Sequence, residues 1–335
     1  MAIIYHPDYA THIQFRNHPE SPERLEYILK KIASLKLSQD IIKPDPATEN
    51  DLLMVHTAKY VDFIKNFGTG YLDGDTYIRE GTYDVALLAA GGAIKAVEES
   101  YFRNEPAFAI VRPPGHHAGP DHGGGFCYFN NIAIAAKYAL KRAERVAIVD
   151  IDAHHGNGTQ EIFFESRNIL YISLHQWGIF PGTGYYTELG KGIGKGYTVN
   201  IPLPPHSGDA TYRYAFDGII IPVLKQFMPN IVLVSIGVDA HYKDVMTGLE
   251  LSSAGYMEIA RKLMDFSEKY CNKRLAYVLE GGYNGLSLSE VVGGVISMFE
   301  GKKINLQYGD IKDTNIRGKE YVDKSKSVLS EYWKL

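Results

Sequence analysis

The stretch that decides the fold runs Val146-Ala147-Ile148-Val149-Asp150-Ile151-Asp152-Ala153-His154-His155-Gly156-Asn157-Gly158. Its first four residues are apolar, which predicts a strand buried on both faces of a sheet. Asp150, Asp152 and His154 then alternate, so their side chains point the same way while the chain stays extended. Carboxylates and an imidazole converging at a strand end are ligands for zinc or a similar divalent cation. A strand end closed by salt bridges is the alternative interpretation.

Similar apolar runs recur along the chain and predict further strands. They lie at residues 3–5, 107–111, 169–174, 199–201, 231–236 and 275–279. Apolar residues at helical spacing occupy residues 83–100, 131–142, 212–227 and 254–270. This alternation predicts an α/β fold with three layers, in which a mostly parallel sheet lies between helices. We expect one domain over residues 1–335, with a core of about residues 5–300 and a C-terminal extension after about residue 301.

Composition and charge narrow the possible functions. The chain is 45% hydrophobic and 22% charged, as in ordinary globular proteins, and its net charge of -4 gives no basic surface for nucleic acid. Only Cys127 and Cys271 are present, so no disulfide framework is expected. No apolar run reaches the roughly 18 residues of a membrane span, and no signal peptide is recognisable. We therefore expect a cytoplasmic protein that binds neither membrane nor nucleic acid, and the oligomeric state stays open.

Three other predicted strands also run into polar, glycine-rich loops, and parallel sheets place ligand sites beyond the carboxyl ends of their strands. Asp239 follows the strand at 231–236 and would complete a site of two carboxylates and one imidazole, which leaves coordination positions open for water and substrate. His116 and His117 follow the strand at 107–111 and could move protons near neutral pH, or could be ordinary surface histidines. Tyr283 follows the strand at 275–279, after two glycines that let the chain turn.

Six motifs in a fixed order carry a resemblance to a known family. They are His18-Pro-Glu-Ser-Pro-Glu-Arg-Leu25, Arg112-Pro-Pro-Gly-His-His-Ala118, Gly125-Phe-Cys-Tyr-Phe-Asn-Asn131, Asp150-Ile-Asp-Ala-His-His-Gly-Asn-Gly-Thr-Gln160, Phe180-Pro-Gly-Thr-Gly184 and Glu280-Gly-Gly-Tyr-Asn284. In this order the sequence resembles the zinc-dependent histone deacetylase family, which includes acetylpolyamine amidohydrolases and acetoin-utilisation proteins. The resemblance runs from about residue 5 to about residue 300.

The resemblance implies a role for each matching residue. The implied zinc ligands are Asp152, His154 and Asp239, with Fe²⁺ or Co²⁺ as alternative metals. The implied catalytic residues are Tyr283, which donates a hydrogen bond in the transition state, and two pairs, His116 with Asp150 and His117 with Asn157. Of the two histidines, His117 is the better proton carrier, because an amide partner cannot raise its pKa as a carboxylate would.

The resemblance also implies a narrow tunnel for the substrate. Its walls would be Phe126 and Phe180, with Gly125 beside it, and an extended acetyl-lysine stem would bury its methylenes there. A monovalent cation, K⁺, is implied at Asp150, Asp152, His154, Ser173 and Leu174.

Met246 bears on the choice between acetyl-lysine and acetylpolyamine substrates. In a polyamine-selective relative, an acidic residue is expected at this position. We therefore expect a deacetylase of acetyl-lysine or a related acetyl-amine, with an acetylpolyamine amidohydrolase as the alternative. Asp73 and Asp75 could reach the tunnel rim or could only stabilise a turn. More distant alternatives are a binuclear manganese ureohydrolase, which needs further acids near Ala153 and Asn157, and a catalytically silent acetyl-lysine binder.

Overall fold

The computed structural model describes residues 1–37, 41–303, 305–309 and 315–335. Eight of its strands form one sheet: β1 (Ala2–Ile4), β2 (Ile41–Ile42), β5 (Ala107–Ala109), β6 (Val146–Asp150), β7 (Ile169–Gln176), β8 (Thr198–Leu203), β9 (Ile231–Ile236) and β10 (Leu275–Leu279). Two further strands, β3 (Gly70–Tyr71) and β4 (Tyr77–Ile78), pair as an antiparallel hairpin. The strands of this hairpin and β2 have two residues each, too short for a periodic pattern to predict them.

Every neighbouring pair in the large sheet is parallel, and the strand order is β2-β1-β5-β10-β9-β6-β7-β8. All five residues of β6 are buried, as are all six of β9 and all five of β10. Continuous burial of this kind arises where helices cover both faces of a sheet, and it explains why these strands are mostly apolar, apart from Asp150 in β6 and Ser235 in β9.

The helices are α1 (Glu23–Ser34), α2 (Glu49–Leu52), α3 (Ala58–Asn66), α4 (Thr82–Arg103), α5 (Asn131–Ala139), α6 (Asn157–Phe163), α7 (Asp209–Ala215), α8 (Ile221–Phe227), α9 (Ser253–Tyr270), α10 (Gly285–Phe299) and α11 (Lys319–Leu329). One layer is built on α4 and α5, which pack together on the central strands, and another on α1, α9 and α10. The predicted three-layer α/β fold is confirmed. Among the described residues, no helix has the length and apolarity needed to cross a membrane.

The helix predicted at residues 212–227 is divided in the structure. A π-helical segment, Phe216–Ile220, separates α7 from α8, and Pro222 lies in the first turn of α8. Proline has no N–H to donate to the carbonyl four residues earlier, so the regular helical hydrogen-bond pattern cannot continue through it.

The C-terminal extension ends in a packed helix. α11 contacts β8 and α7, and Val322 and Leu329 are buried. Beyond the helix, the Trp333 indole N–H donates to the carbonyl of Gly196 at 2.8 Å. These contacts support our proposal that residues 1–335 form a single domain.

The sheet order explains where a site can form. The four strands that run into polar, glycine-rich loops, namely β5, β10, β9 and β6, are adjacent at the centre of the sheet. Since parallel strands end at the same edge, their loops meet in one place.

Candidate active site

The loops after β6 and β9 bring together Asp152, His154 and Asp239, whose ligand atoms lie within 4.8 Å of one another. Nδ1 of His154 is 2.8 Å from a carboxylate oxygen of Asp239 and 3.3 Å from one of Asp152. The two aspartates are 0% and 1% exposed, and their ion-pair partners within the described ranges are imidazoles. Two buried carboxylates this close need compensating positive charge. The donor set fits a divalent cation such as zinc.

Backbone amides hold the two carboxylates in place. Asp152 accepts hydrogen bonds from the N–H groups of His154 and Gly281, both at 2.9 Å, and Asp239 accepts one from Ala153 at 2.9 Å. A Cβ on Gly281 would lie 2.7 Å from Asp152 and 2.8 Å from Asp239, closer than van der Waals contact permits. Only glycine at this position therefore lets the loop after β10 approach Asp152 and Asp239 this closely.

The pKa values of Asp239 and His154 also indicate that this group of side chains favours binding of a cation. Burial and the neighbouring charge of Asp152 raise the pKa of Asp239 to about 7. Burial lowers the pKa of His154, but the two carboxylates outweigh this effect and raise it to about 10. Without metal, the group therefore retains protons that a divalent cation would displace.

His116 and His117 follow β5, and their rings lie 4.0 Å apart between centroids. His116 Nδ1 donates to Asp150 at 3.0 Å, and His117 Nδ1 donates to the side-chain oxygen of Asn157 at 2.8 Å. Burial lowers the pKa of His116, but the charges of Asp150 and Asp152 raise it to about 10. Burial, together with the charge of His116, lowers the pKa of His117 well below its ordinary value. The structure thus places a charged imidazole beside a neutral one.

Tyr283 lies on the loop after β10, and three side chains fix its position. Asp244 accepts a hydrogen bond from the Tyr283 backbone N–H at 2.6 Å. The Arg24 guanidinium lies 5.1 Å from the centre of the Tyr283 ring and donates to the carbonyl of Gly282 at 2.7 Å. The ring of Phe126 meets that of Tyr283 edge to face at 6.0 Å. Burial raises the pKa of Tyr283 well above its ordinary value, so its hydroxyl stays a proton donor at neutral pH.

The predicted tunnel residues also meet at this edge of the sheet. The ring of Phe180 packs edge to face on His117 at 5.0 Å, and 53% of Phe180 is exposed. A Cβ on Gly125 would lie 2.7 Å from the rings of both His117 and Phe180. Phe126, in contrast, is buried. Phe180 therefore lies next to His117 and Gly125, and Phe126 lies next to Tyr283.

Met246 lies next to the loop of Tyr283. Its backbone N–H donates at 3.0 Å to Asp244, whose other carboxylate oxygen holds the Tyr283 N–H. Met246 is 38% exposed and Val245 is 87% exposed. Val245 and Met246 thus place exposed apolar side chains near this loop.

The residues predicted to bind K⁺ lie on the neighbouring strands β6 and β7 and in the loop that follows β6. Ser173 and Leu174 belong to β7, and Ser173 lies opposite Asp150 of β6 in the register of the sheet. The Ser173 side chain hydrogen-bonds Nδ1 of His175 at 2.9 Å. A K⁺ ion at this place stays a prediction.

Sequence reasoning missed a buried ionic network that supports the site. A carboxylate oxygen of Glu20 contacts Arg112 at 2.5 Å and accepts from Arg24 at 3.1 Å, and all three side chains are buried. Burial raises the pKa of Glu20, but the two arginines outweigh it and lower the pKa to about 2. The sequence did offer one indication of this network, because these three charged residues all lie within two of the ordered motifs. Asp244 gave no such signal, because a single aspartate in a loop is common.

Among the described residues, two groups of at least three metal-ligand side chains are found, and the second group shares no residue with the first. The other candidate group, Asp121, His122 and Glu161, includes two exposed acids. Ala153 is buried without a ligand atom, and Asn157 is occupied by His117. The geometry therefore argues against the binuclear alternative.

Comparisons with known proteins point to one family. The model of the histone deacetylase domain matches residues 18–299. A probable deacetylase of Archaeoglobus fulgidus is 42% identical over 99% of this chain and 98% of that protein. A histone deacetylase-like amidohydrolase of Pseudomonas aeruginosa is 38% identical, over 84% of this chain and 78% of its own length. The crystal structure of the HDA15 HD domain superposes with a TM-score of 0.91 at 34% identity, covering 99% of this chain and 94% of that one. The chain therefore belongs to the histone deacetylase family of deacetylases and amidohydrolases.

Proposed function

We propose that the protein is a zinc-dependent deacetylase that hydrolyses the acetyl-amide of acetylated lysine or a related acetyl-amine. The observation that carries the proposal is the buried group of Asp152, His154 and Asp239, flanked by the neutral His117 and by Tyr283. A zinc ion held by these three ligands supplies Lewis acidity and a water of lowered pKa. The proposed K⁺ site beside Asp150 and the cytoplasmic location complete the proposal.

The acid–base work falls to His117. Its Nδ1–H is engaged by Asn157, so Nε2 carries the lone pair that accepts a proton from the attacking water. The same nitrogen then donates that proton to the leaving amine, which requires a neutral imidazole at the start of the cycle. The lowered pKa of His117 keeps the imidazole neutral at neutral pH, as the start of the cycle requires.

His116 and Tyr283 stabilise charge. Asp150 keeps His116 protonated, and the imidazolium favours the negative charge that develops on the acyl oxygen. The Tyr283 hydroxyl donates to the same oxygen. Both groups are held by partners before substrate arrives, so little reorganisation is needed during the reaction.

The substrate class follows from the apolar walls. Phe126 and Phe180 bury the methylenes of a neutral acetylated stem without desolvating a charge. Met246 supplies no carboxylate for the second ammonium of a polyamine, so we propose a preference for acetyl-lysine peptides over acetylpolyamines.

A turnover panel with metal analysis tests the proposal. Purified protein should hold one zinc per chain and should release acetate from an acetyl-lysine peptide faster than from acetylated polyamines. The opposite preference would establish the polyamine alternative. Binding of acetyl-lysine peptide without turnover in the metal-loaded protein would indicate a silent binder. One iron or cobalt per chain in active protein would change only the metal.

A further inference from the structure

The hairpin β3–β4 lies far from the catalytic motifs in sequence, and its turn is held by Asp73. One carboxylate oxygen of Asp73 accepts the backbone N–H groups of Asp75 and Thr76, at 3.0 and 2.6 Å. The carbonyl of Thr76 in turn accepts the N–H of Leu72 at 2.7 Å. Asp73 therefore stabilises the turn of the hairpin. The same bonds place its second carboxylate oxygen and the Thr76 hydroxyl at the same end of the hairpin.

Both of these oxygen atoms contact the tunnel wall. The second oxygen of Asp73 accepts the N–H of Gly125 at 2.9 Å, and the hydroxyl of Thr76 accepts the N–H of Phe126 at 2.8 Å. Two consecutive backbone donors of the wall thus bond side chains of a turn 52 and 50 residues earlier.

The wall needs such support because of its backbone conformation. Gly124, Gly125 and Phe126 have φ angles of 150°, 54° and 70°. A bulky residue such as Phe126 rarely adopts a positive φ, and it persists there only when surrounding contacts enforce it. Phe126 is buried, so its N–H would lose its hydrogen bond without regaining water if Thr76 lacked the hydroxyl.

Asp73 is suited to a permanent bond of this kind. Burial raises the pKa of its carboxyl, but the hydrogen bonds from the backbone N–H groups of Asp75, Thr76 and Gly125 and from the Thr76 hydroxyl outweigh burial and lower the pKa. The carboxylate therefore stays ionised at neutral pH. Charge-assisted hydrogen bonds of this type are stronger than neutral ones.

We propose that Asp73 and Thr76 are positioning residues, which act through Gly125 and Phe126 to hold the Phe126 ring against Tyr283 in the tunnel. This inference rests on the proposed function, because it assigns the hairpin a part in aligning the acetyl-amine. The ring contacts that depend on it are those of Phe126 with Tyr283 at 6.0 Å and with His18 at 4.6 Å.

The two hydrogen bonds from the Gly125 and Phe126 N–H groups to Asp73 and Thr76 are called the clamp. Three substitutions test the clamp separately from the hydrogen bonds that hold the turn. In Asp73→Asn the amide oxygen can keep the two N–H donors of the turn, so the NH₂ group faces the Gly125 N–H and that bond is lost. Thr76→Val keeps the side-chain shape but removes the acceptor for Phe126. Thr76→Ser restores a hydroxyl and is the rescue variant.

Thr48→Val is the matched control. The Thr48 hydroxyl accepts the N–H of Asp51 at 3.2 Å in the first turn of α2, so the control loses the same kind of bond outside the tunnel.

We expect kcat on an acetyl-lysine peptide to fall about tenfold in Asp73→Asn and in Thr76→Val, since small misplacements at a reacting centre are costly. Thr76→Ser and Thr48→Val should stay within about twofold of wild type. Activities are compared well below each Tm. In a Phe126→Ala background, Asp73→Asn should have little further effect on kcat, because the contact through which it acts is already gone.

Hydrogen exchange gives a readout that does not depend on catalysis. Amides in the segment 124–126 should exchange faster in Asp73→Asn and Thr76→Val than in wild type or in Thr48→Val. If wild type hydrolyses no acetyl-amine, the proposed function fails, while faster exchange would still establish the clamp. Wild-type kcat together with unchanged exchange in both variants would overturn the inference. So would an undiminished loss of activity in the Phe126→Ala background.

Discussion

Tyr283→Phe is the sharpest test of the proposed chemistry, because the structure shows what the substitution leaves in place. The ring is held by Phe126 and Arg24, and the backbone by Asp244, none of which uses the hydroxyl. None of the hydrogen bonds found among the described residues involves the Tyr283 hydroxyl either. The variant should therefore fold, bind zinc and melt like wild type, and lose only a donor to the developing oxyanion.

The expected loss is large and falls on turnover. Removing one donor to an oxyanion typically lowers kcat by about 10²- to 10³-fold, or about 2.7–4 kcal/mol. KM should change little, because the bond forms mainly in the transition state. The assay measures kcat and KM on an acetyl-lysine peptide, with zinc content and Tm determined on the same preparations.

Tyr9→Phe is the control for loss of a tyrosine hydroxyl. Tyr9 is buried, and its hydroxyl donates to the carbonyl of Leu88 at 3.1 Å, so this variant should lose about 1 kcal/mol of stability and keep its kcat. A fall of less than about fivefold in Tyr283→Phe, with chemistry shown to limit the rate, would refute the assigned role.

Three further predictions concern the metal ligands, the substrate preference set by Met246, and the buried ionic network around Glu20. His154→Ala and Asp239→Ala should each lose zinc, measured by elemental analysis, together with activity; full occupancy in both would contradict the ligand assignment. Met246→Glu should raise kcat/KM for acetylated polyamines relative to an acetyl-lysine peptide by roughly tenfold, about 1.4 kcal/mol. An unchanged ratio would show that Met246 does not determine the preference between these two substrates. Glu20 has its pKa lowered from 4.5 to about 2, so the stability it contributes is complete above pH 4.5 and is lost as the pH falls towards 2. Urea unfolding between these pH values should show a steeper loss of stability in wild type than in Glu20→Gln.

Much of the fold could be predicted from the sequence, for a physical reason. A strand buried on both faces is mostly apolar, so β6, β9 and β10 were visible as nearly continuous apolar runs. The proline-interrupted helix at residues 212–227 was predicted as one element, because its apolar spacing continues across the π-helical segment. β2 and the hairpin β3–β4 were not predicted, because two-residue strands leave no pattern.

The candidate site was predicted in its residues but not in its geometry. Alternation after β6 indicated that Asp152 and His154 share one side. Asp239 was indicated by its place after the strand at 231–236, and the ordered motifs implied roles for His117 and Tyr283. The sequence could not show that these loops follow adjacent strands, because strand order is set by the packing of crossover helices and not by any local pattern.

The sequence by itself determined which side chains are available for chemistry and which segments must be buried, since both depend on residue type and local periodicity. The motifs implied partners for His116 and His117, and only the tertiary structure decided whether these pairs form and how burial shifts their pKa values. His116 and His117 are adjacent and chemically identical, yet Asp150 raises the pKa of one while burial beside Asn157 lowers that of the other. Likewise, Asp73 holds its own turn and also accepts the N–H of Gly125, because folding brings a distant hairpin against the segment that contains Gly125. Contacts of this kind join residues far apart in the chain, and so no local pattern of the sequence encodes them.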